Sequence, residues 1–418
     1  MQKLIVKGKK KLSGSINISG SKNATLPILA ATLLSDKIIN LKNIPLVQDV
    51  YTMINLLRFI GLNIAISKKK KFLKISSRKK LKTLAPYNLL KTMRAGVLVL
   101  GPLLARYKKA KVSLPGGCAI GARPVNLHLL ALEKLGAKIK IKNGYIYAYA
   151  KHGLIGGVIK FPSISVGATE NAILAAVSAK GKTTISNCAI EPEIQDMIIF
   201  LKKMGSNINF IGKRKIVIIG TKNFQSVSHD VIFDRIELGT YLIAAALIGK
   251  KIIIKRIKPR VIGAEIKLLK KMGVKIKLEK NKITIFESGK LKSTNIKTKP
   301  YPGFPTDLQA QIMVLMIRAS GTSKITESIF ENRFMHVPEL RRMGAKIVIK
   351  KNEAIISGPT NLSGAEVMAT DLRASVSLVL AALVAENKTE INRVYHLDRG
   401  YENLEEKLKK CKANINRI

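Results

Sequence analysis

The sequence predicts an α/β protein of two pseudo-symmetric halves, each built from three βαβαββ-type units. Two repeats carry this prediction. The segments LRFIGLNIAI, LEKLGAKIKI, LKKMGSNINF, LKKMGVKIKL, LRRMGAKIVI and LKKCKANINRI begin at Leu57, Leu132, Leu201, Leu269, Leu340 and Leu408. Each reads as the end of a helix, a turn and a strand. Gly61, Gly136, Gly205, Gly273 and Gly344 share one register about seventy residues apart, where a helix end needs a left-handed residue. Lys412 takes that place in the last copy. A second helix also recurs: KNATLPILAATLL, TMRAGVLVLGPLLA, ATENAILAAVSA, IELGTYLIAAALI, DLQAQIMVLMIRA and DLRASVSLVLAALVA. These stretches are apolar nearly all round, so they belong inside the protein.

The remaining elements follow from that frame. Alternating strands after each turn predict hairpins, with turns at Lys142-Asn143-Gly144, Gly212-Lys213-Arg214 and Lys280-Asn281-Lys282. The buried helices pack inside, with sheets and amphipathic helices around them. The N-terminal strands lack a preceding helix and Leu408 to Ile418 lacks a partner, so the two chain ends complete one unit together. That places crossovers near residues 21 and 230. The expected domains are 22–230 and 1–21 plus 231–418, with an active site in the cleft between them.

Lys+Arg 74 against Asp+Glu 26 leaves a net charge of +48 over 418 residues. Three readings fit: a nucleic-acid partner, an anionic small-molecule ligand, or drift in an AT-rich genome that favours Lys, Ile and Asn. The lysines are scattered or in short runs such as Lys68 to Lys71, and the chain has no Trp for base stacking. Specific nucleic-acid binding is therefore not expected. Cys118, Cys188 and Cys411 are odd in number and widely spaced, which argues against a disulfide framework. The N-terminus lacks the apolar core of a signal peptide. The longest apolar runs, Tyr241 to Gly249 and Leu378 to Ala385, fall short of the roughly 18 residues of a membrane span. A cytoplasmic protein without membrane insertion is expected.

The loop Ser113 to Val125, SLPGGCAIGARPV, carries the most pointed chemistry. Lys108, Lys109, Lys111 and Arg123 around Cys118 favour the thiolate, below the reference thiol value of about 8.5. Such a group can give up a proton near neutral pH or attack an electrophile. Cys188 and Cys411, in apolar contexts, read as small buried hydrophobes. Polar residues also begin the buried helices: Lys22 and Asn23, Arg94, Asp234, Arg235 and Glu237, Asp307, Asp371 and Arg373. Helix N-termini attract anions, so these starts form a candidate anion site. Simple N-capping is the alternative for the Asp and Asn residues, but does not explain Lys22, Arg94 or Arg373. Asp307, after two prolines in YPGFPTDLQAQ, is placed to act as general base for a hydroxyl. Gly181-Lys182-Thr183-Thr184 imitates the end of a P-loop but lacks its earlier glycine, and reads as a hairpin turn. The five histidines show no metal-ligand spacing, so no metal is expected.

SGSKNATLPILAA, LPGGCAIGARPV, FPTDLQAQ, FENRFMHVPEL, MATDLRAS and YHLDRGYENLEEKL together resemble the UDP-N-acetylglucosamine enolpyruvyltransferases (1-carboxyvinyltransferases). The resemblance runs end to end. It implies the inside-out α/β barrel of the wider superfamily, which includes EPSP synthase; the latter lacks the cysteine loop. It further implies transfer of an enolpyruvyl group from phosphoenolpyruvate to the 3′-hydroxyl of UDP-N-acetylglucosamine, the first committed step of peptidoglycan synthesis. The two substrates are the implied partners, with no metal or organic cofactor, and a monomer is expected.

Carried over, the resemblance makes Cys118 the proton donor to C3 of the enol, able to form a covalent adduct and to be trapped by the epoxide fosfomycin. Asp307 takes the sugar hydroxyl proton. Lys22, Arg123 and Arg399 bind the phosphate and carboxylate of phosphoenolpyruvate, and Asn23 holds the sugar side. Arg94, Arg333 and Arg373 help close the cleft. Arg123, Pro124, Val125, Asn126 and Leu127 line the uridine pocket with Ser165, Val166 and Gly167, while Ile329 touches the sugar. Two positions depart from the family pattern: Asn126 where Asp is common at the uracil edge, and Ser163 where Lys is common near the diphosphate, with Lys160 nearby. Outside this activity, an EPSP-synthase-like reaction, a basic binding protein and a decayed enzyme are the competing readings. The intact Lys22, Cys118, Asp307 and Arg399 argue against decay.

Overall fold

The computed structural model describes residues 2–77, 80–116 and 125–418. Cys118, Arg123 and Pro124 therefore lie outside the described residues. The chain forms two compact units, one within residues 20–232 and the other from residues 2–19 and 233–418.

Among the described residues, each unit holds three four-stranded sheets of one design. Val158–Lys160 shows it: this strand runs parallel to Lys182–Ser186, which pairs antiparallel with Lys215–Ile219, and that strand with Asn207–Phe210. Between the two parallel strands runs the buried helix Val166–Ala176. Between the second strand and the hairpin runs the amphipathic helix Pro192–Lys203. The order is βαβαββ. Parallel pairing requires a crossover, and the apolar helix supplies it while covering the inner face of the sheet.

The buried helices are apolar because most of their residues lie inside. Lys22–Ala31, Leu100–Tyr107 and Val166–Ala176 serve one unit; Arg235–Ile248, Gln309–Ile317 and Leu372–Val384 serve the other. Every residue of Leu372–Val384 is buried. The outer helices bury one side only, as in Gln48–Ile60, where Val50, Met53, Ile54, Leu57 and Ile60 face inward.

The repeated glycines end helices, as their register predicts. Gly136, Gly205, Gly273 and Gly344 have φ between 88° and 103°. The amide after each one donates back to the repeated leucine: Ala137 to Leu132 O at 3.1 Å, Ser206 to Leu201 O, Val274 to Leu269 O and Ala345 to Leu340 O each at 3.0 Å. This is the bond of a Schellman terminus, satisfying a carbonyl the helix leaves open. Lys412 adopts φ 71° and keeps the bond from Ala413 to Leu408 O at 3.0 Å without a glycine.

The chain ends do complete one sheet. Leu4–Lys7 lies between Lys388–Asn392 and Asn414–Arg417, with Leu4 opposite both Ile391 and Arg417. Likewise Val227–Asp230 supplies the parallel strand for Ile39–Lys42, and Leu12–Asn17 the one for Gly249–Lys255. At Asn143 and Gly144 both φ angles are positive, 51° and 73°, which closes a two-residue hairpin turn. One turn is corrected. Gly181, at φ 90°, opens the strand Lys182–Ser186 after the buried helix, so it is a helix-to-strand turn rather than a hairpin turn. Gly321 does the same for Gly321–Thr326.

Helix approach sets one sharp requirement. A Cβ on Gly101 would stand 2.4 Å from Asn171 Oδ1 and 2.8 Å from the Asn171 carbonyl. Gly101 N also donates to Asn171 Oδ1 at 2.8 Å. Gly101→Ala is expected to destabilise by ~1–3 kcal/mol through overpacking. Gly289→Ala, at an exposed site where a Cβ meets nothing within 4 Å, should stay within about 0.5 kcal/mol of wild type in denaturant melts.

Candidate active site

In the unit of residues 233–418, Arg333 and the helix start at Arg373 meet at Asp307. Pro305 is extended, and the short turn Thr306–Leu308 leads into Gln309–Ile317. Asp307 does not cap that helix. Its Oδ1 accepts from Arg333 Nη2 and its Oδ2 from Arg373 Nη2, each at 2.9 Å. Both arginines are buried, while the Asp307 side chain keeps 28% exposure and so stays reachable. Capping does account for the neighbouring acids. Asp234 accepts from Ile236 N and Glu237 N, and Asp371 from Arg373 N and Ala374 N.

A second layer holds the clamp. Arg373 Nη1 donates to Tyr401 Oη at 3.3 Å, and that hydroxyl lies 2.9 Å from Thr240 Oγ1. Gln311 Nε2 donates to Asp307 O at 3.0 Å and to Tyr401 Oη at 3.3 Å. Burial works against the Arg373 charge, but Asp307, Tyr401 and Asp234 outweigh it and raise its pKa above the ordinary arginine value. Burial likewise raises the Tyr401 pKa, against the pull of Arg373. Ile329 is half-buried, with its amide bonded to Glu327. Arg399 stands at the end of the short helix Tyr395–Asp398, where burial first and Arg399 next lower the His396 pKa.

The unit of residues 20–232 carries the other predicted residues. Ser21 caps Lys22–Ala31, and Lys22 Nζ reaches Asp49 Oδ2 at 2.8 Å with both side chains nearly covered. Asn23 sits beside it in the first helical turn, half-buried. Arg94 opens the tight turn Arg94–Val99. Val125 precedes the helix Asn126–Lys134, which places Asn126 and Leu127 in its first turn. Ser165 caps Val166–Ala176 through a bond from Ala168 N, so Val166 and Gly167 begin that helix; Ser163 lies exposed just before it. The two helix starts meet through His128, whose ring would be 3.1 Å from a Cβ on Gly167. Asn171 Nδ2 lies 3.1 Å from His128 Nδ1, and burial, then Arg94, lowers the His128 pKa.

Several of these partners escape a reading of the sequence alone. Asp49 left one signal: with Asp36 it is the only acid before Glu133 in a strongly basic chain. Gln311, Thr240 and Tyr401 look like ordinary helix and loop residues until packing joins them. Cys188 and Cys411 are buried free thiols, pushed up to about 11 by burial, as small hydrophobes would be. Among the described residues no group of three or more His, Cys, Asp or Glu is placed to hold a metal ion. Among them also, no helix is long and apolar enough to cross a membrane.

His336, buried beside this clamp, makes stability depend on pH. Burial lowers its pKa to about 4, with Asp371 opposing and Arg333 assisting. A depressed histidine binds fewer protons folded than unfolded, so its contribution is present above about 6.5 and is lost as pH falls to about 4. Unfolding free energy is expected to decline across that window, and His336→Gln to flatten the decline in denaturant melts at stepped pH.

Comparison with known proteins gives a consistent result. Residues 6–408 match the family model for EPSP synthase (3-phosphoshikimate 1-carboxyvinyltransferase). The UDP-N-acetylglucosamine 1-carboxyvinyltransferase of Pelagibacter ubique (strain HTCC1062) is 62% identical over 418 residues, all of both chains. That of Rickettsia canadensis (strain McKiel) is 52% identical over 420 residues, again with all of both covered. Among solved structures, the enolpyruvyl transferase NikO from Streptomyces tendae superposes with a TM-score of 0.91 at 24% identity, covering 100% of this chain and 98% of that one. EPSP synthase from Acinetobacter baumannii gives 0.79 at 18% identity, covering 100% and 99%. These two show the shared fold, that of the inside-out α/β barrel. The chain belongs to the EPSP synthase family and, within it, to the UDP-N-acetylglucosamine 1-carboxyvinyltransferases.

Proposed function

We propose that this chain transfers the enolpyruvyl group of phosphoenolpyruvate to the 3′-hydroxyl of UDP-N-acetylglucosamine and releases phosphate, as the first committed step of peptidoglycan synthesis. The observation that carries the reading is full-length identity of 62% to a relative of that name. The Asp307 clamp supports it, because a reachable carboxylate held in one orientation by Arg333 and Arg373 can meet the proton of a hydroxyl.

Asp307 accepts the proton of the sugar hydroxyl as its oxygen bonds to C2 of phosphoenolpyruvate. Cys118 delivers a proton to C3, giving a tetrahedral adduct that holds methyl, carboxylate, phosphate and sugar. Loss of one C3 proton and of phosphate restores the double bond. Nothing in this sequence of steps requires a metal or an organic cofactor. Lys22, Arg123 and Arg399 bind the anionic groups of phosphoenolpyruvate, with Asp49 fixing Lys22. Asn23 faces the sugar, Ile329 packs on it, and Arg94 assists substrate binding. Val125 to Leu127 and Ser165 to Gly167 receive the uridine with Arg123 and Pro124, their helix starts joined at His128. Ser163 lies toward the diphosphate. The protein acts as a cytoplasmic monomer.

The same chemistry on shikimate phosphate is the second reading, favoured only by the name of the matching family model. Phosphate release from phosphoenolpyruvate tests the proposal. Wild type is expected to release phosphate only with UDP-N-acetylglucosamine present, and Cys118→Ala and Asp307→Asn to lose about 10²–10⁴-fold in kcat. Release without the nucleotide sugar, or full activity in either variant, would contradict it.

A further inference from the structure

Glu327 follows the strand Gly321–Thr326 and is 2% exposed. Its Oε1 accepts from Thr298 Oγ1 at 2.9 Å, Ile329 N at 2.8 Å and Phe330 N at 3.2 Å. Its Oε2 accepts from Thr306 Oγ1 at 2.9 Å. Thr298 Oγ1 in turn accepts from Ser328 N at 2.9 Å, and the Glu327 backbone is pinned on both sides by Asn352. Four donors thus converge on one buried carboxylate, and the two oxygens serve different segments.

The Oε1 side holds the loop Ser328 to Phe330, which presents Ile329. The Oε2 side holds Thr306, the residue before Asp307. Arg333, which clamps Asp307, lies three positions beyond Phe330 and stacks its guanidinium 5.4 Å from that ring. One side chain therefore fixes the turn that carries the base and the loop that carries its arginine and the apolar sugar contact.

We propose that Glu327 is a positioning residue for this reaction, setting Asp307 through Thr306 and the sugar-side loop through the amides of Ile329 and Phe330. The inference rests on the activity proposed above. A reacting group displaced by about 1 Å loses on the order of 10²-fold in rate, so this second layer has kinetic consequences without touching substrate. The division between the oxygens also predicts that the two consequences separate.

The test combines steady-state kinetics with amide hydrogen exchange on the full chain. Thr306→Val removes only the Oε2 bond; kcat should fall about tenfold, with KM for UDP-N-acetylglucosamine within about twofold. Glu327→Gln should keep kcat within about threefold, because its carbonyl can face the three donors while the Thr306 hydroxyl turns to accept from the amide NH₂. Glu327→Ala should lose about 100-fold in kcat, raise KM for the nucleotide sugar and speed exchange at the Ile329 and Phe330 amides. Unchanged exchange at those amides in Glu327→Ala would overturn the proposal. So would unchanged kcat in Thr306→Val, or Glu327→Gln as damaged as Glu327→Ala. If exchange responds as stated but wild type ignores UDP-N-acetylglucosamine, the positioning stands and the substrate reading falls.

Discussion

Two buried guanidinium groups share one carboxylate in the unit of residues 233–418, and three of its central helices contribute the side chains that complete that arrangement. A charge taken out of water is costly unless it is paired and hydrogen-bonded. Arg333 and Arg373 meet that demand through Asp307, and Tyr401, Thr240 and Gln311 complete the bonding. Thr240, Gln311 and Arg373 come from three different buried helices. Those helices are apolar along their lengths because they form the core, so their polar chemistry is confined to their N-terminal portions. The core and the candidate site are thus two ends of the same three elements.

The charge balance reads differently once burial is known. The surplus of lysine is chiefly an exposed feature, whereas many of the scarce acids lie inside. Asp49 holds Lys22, Glu237 accepts from Lys407 and from Ser19 N, and Glu327 gathers four donors. Glu170, buried near Glu193 and Glu191, has its pKa raised well above the ordinary value, chiefly by burial. Replacing these acids by lysine would strand a buried cation or several backbone amides. The buried acids therefore mark structural joints here better than the lysines do.

Much of the fold was legible because it rests on local rules repeated six times. A glycine register fixes the helix ends, apolar stretches fix the inner helices, and unpartnered ends at Leu4 and Ile418 fix the shared sheet. The Gly181 turn was misread because a glycine before a strand looks alike after a helix or after another strand. In the site, Asp307, Arg373 and Lys22 stood out as polar residues starting apolar helices. Their partners did not, since Asp49 and Lys22 are 27 positions apart and Glu327 and Thr306 are 21, with no periodicity linking them. Pairings of that kind are products of tertiary packing. The binding roles of Arg123 and Arg399 came from resemblance alone, whereas the basic, Gly-rich loop around Cys118 already marked its thiol as a proton donor or nucleophile.

Substrate choice is what separates members of this family, because they share one fold and one transfer chemistry. The direct measurement is ³¹P NMR of phosphoenolpyruvate mixed with equimolar UDP-N-acetylglucosamine and shikimate 3-phosphate. Inorganic phosphate is expected to grow in step with a carboxyvinyl ether on the nucleotide sugar, while the shikimate phosphate signal stays unchanged. Consumption of shikimate 3-phosphate, or phosphate release with no modified nucleotide sugar, would contradict the proposed activity.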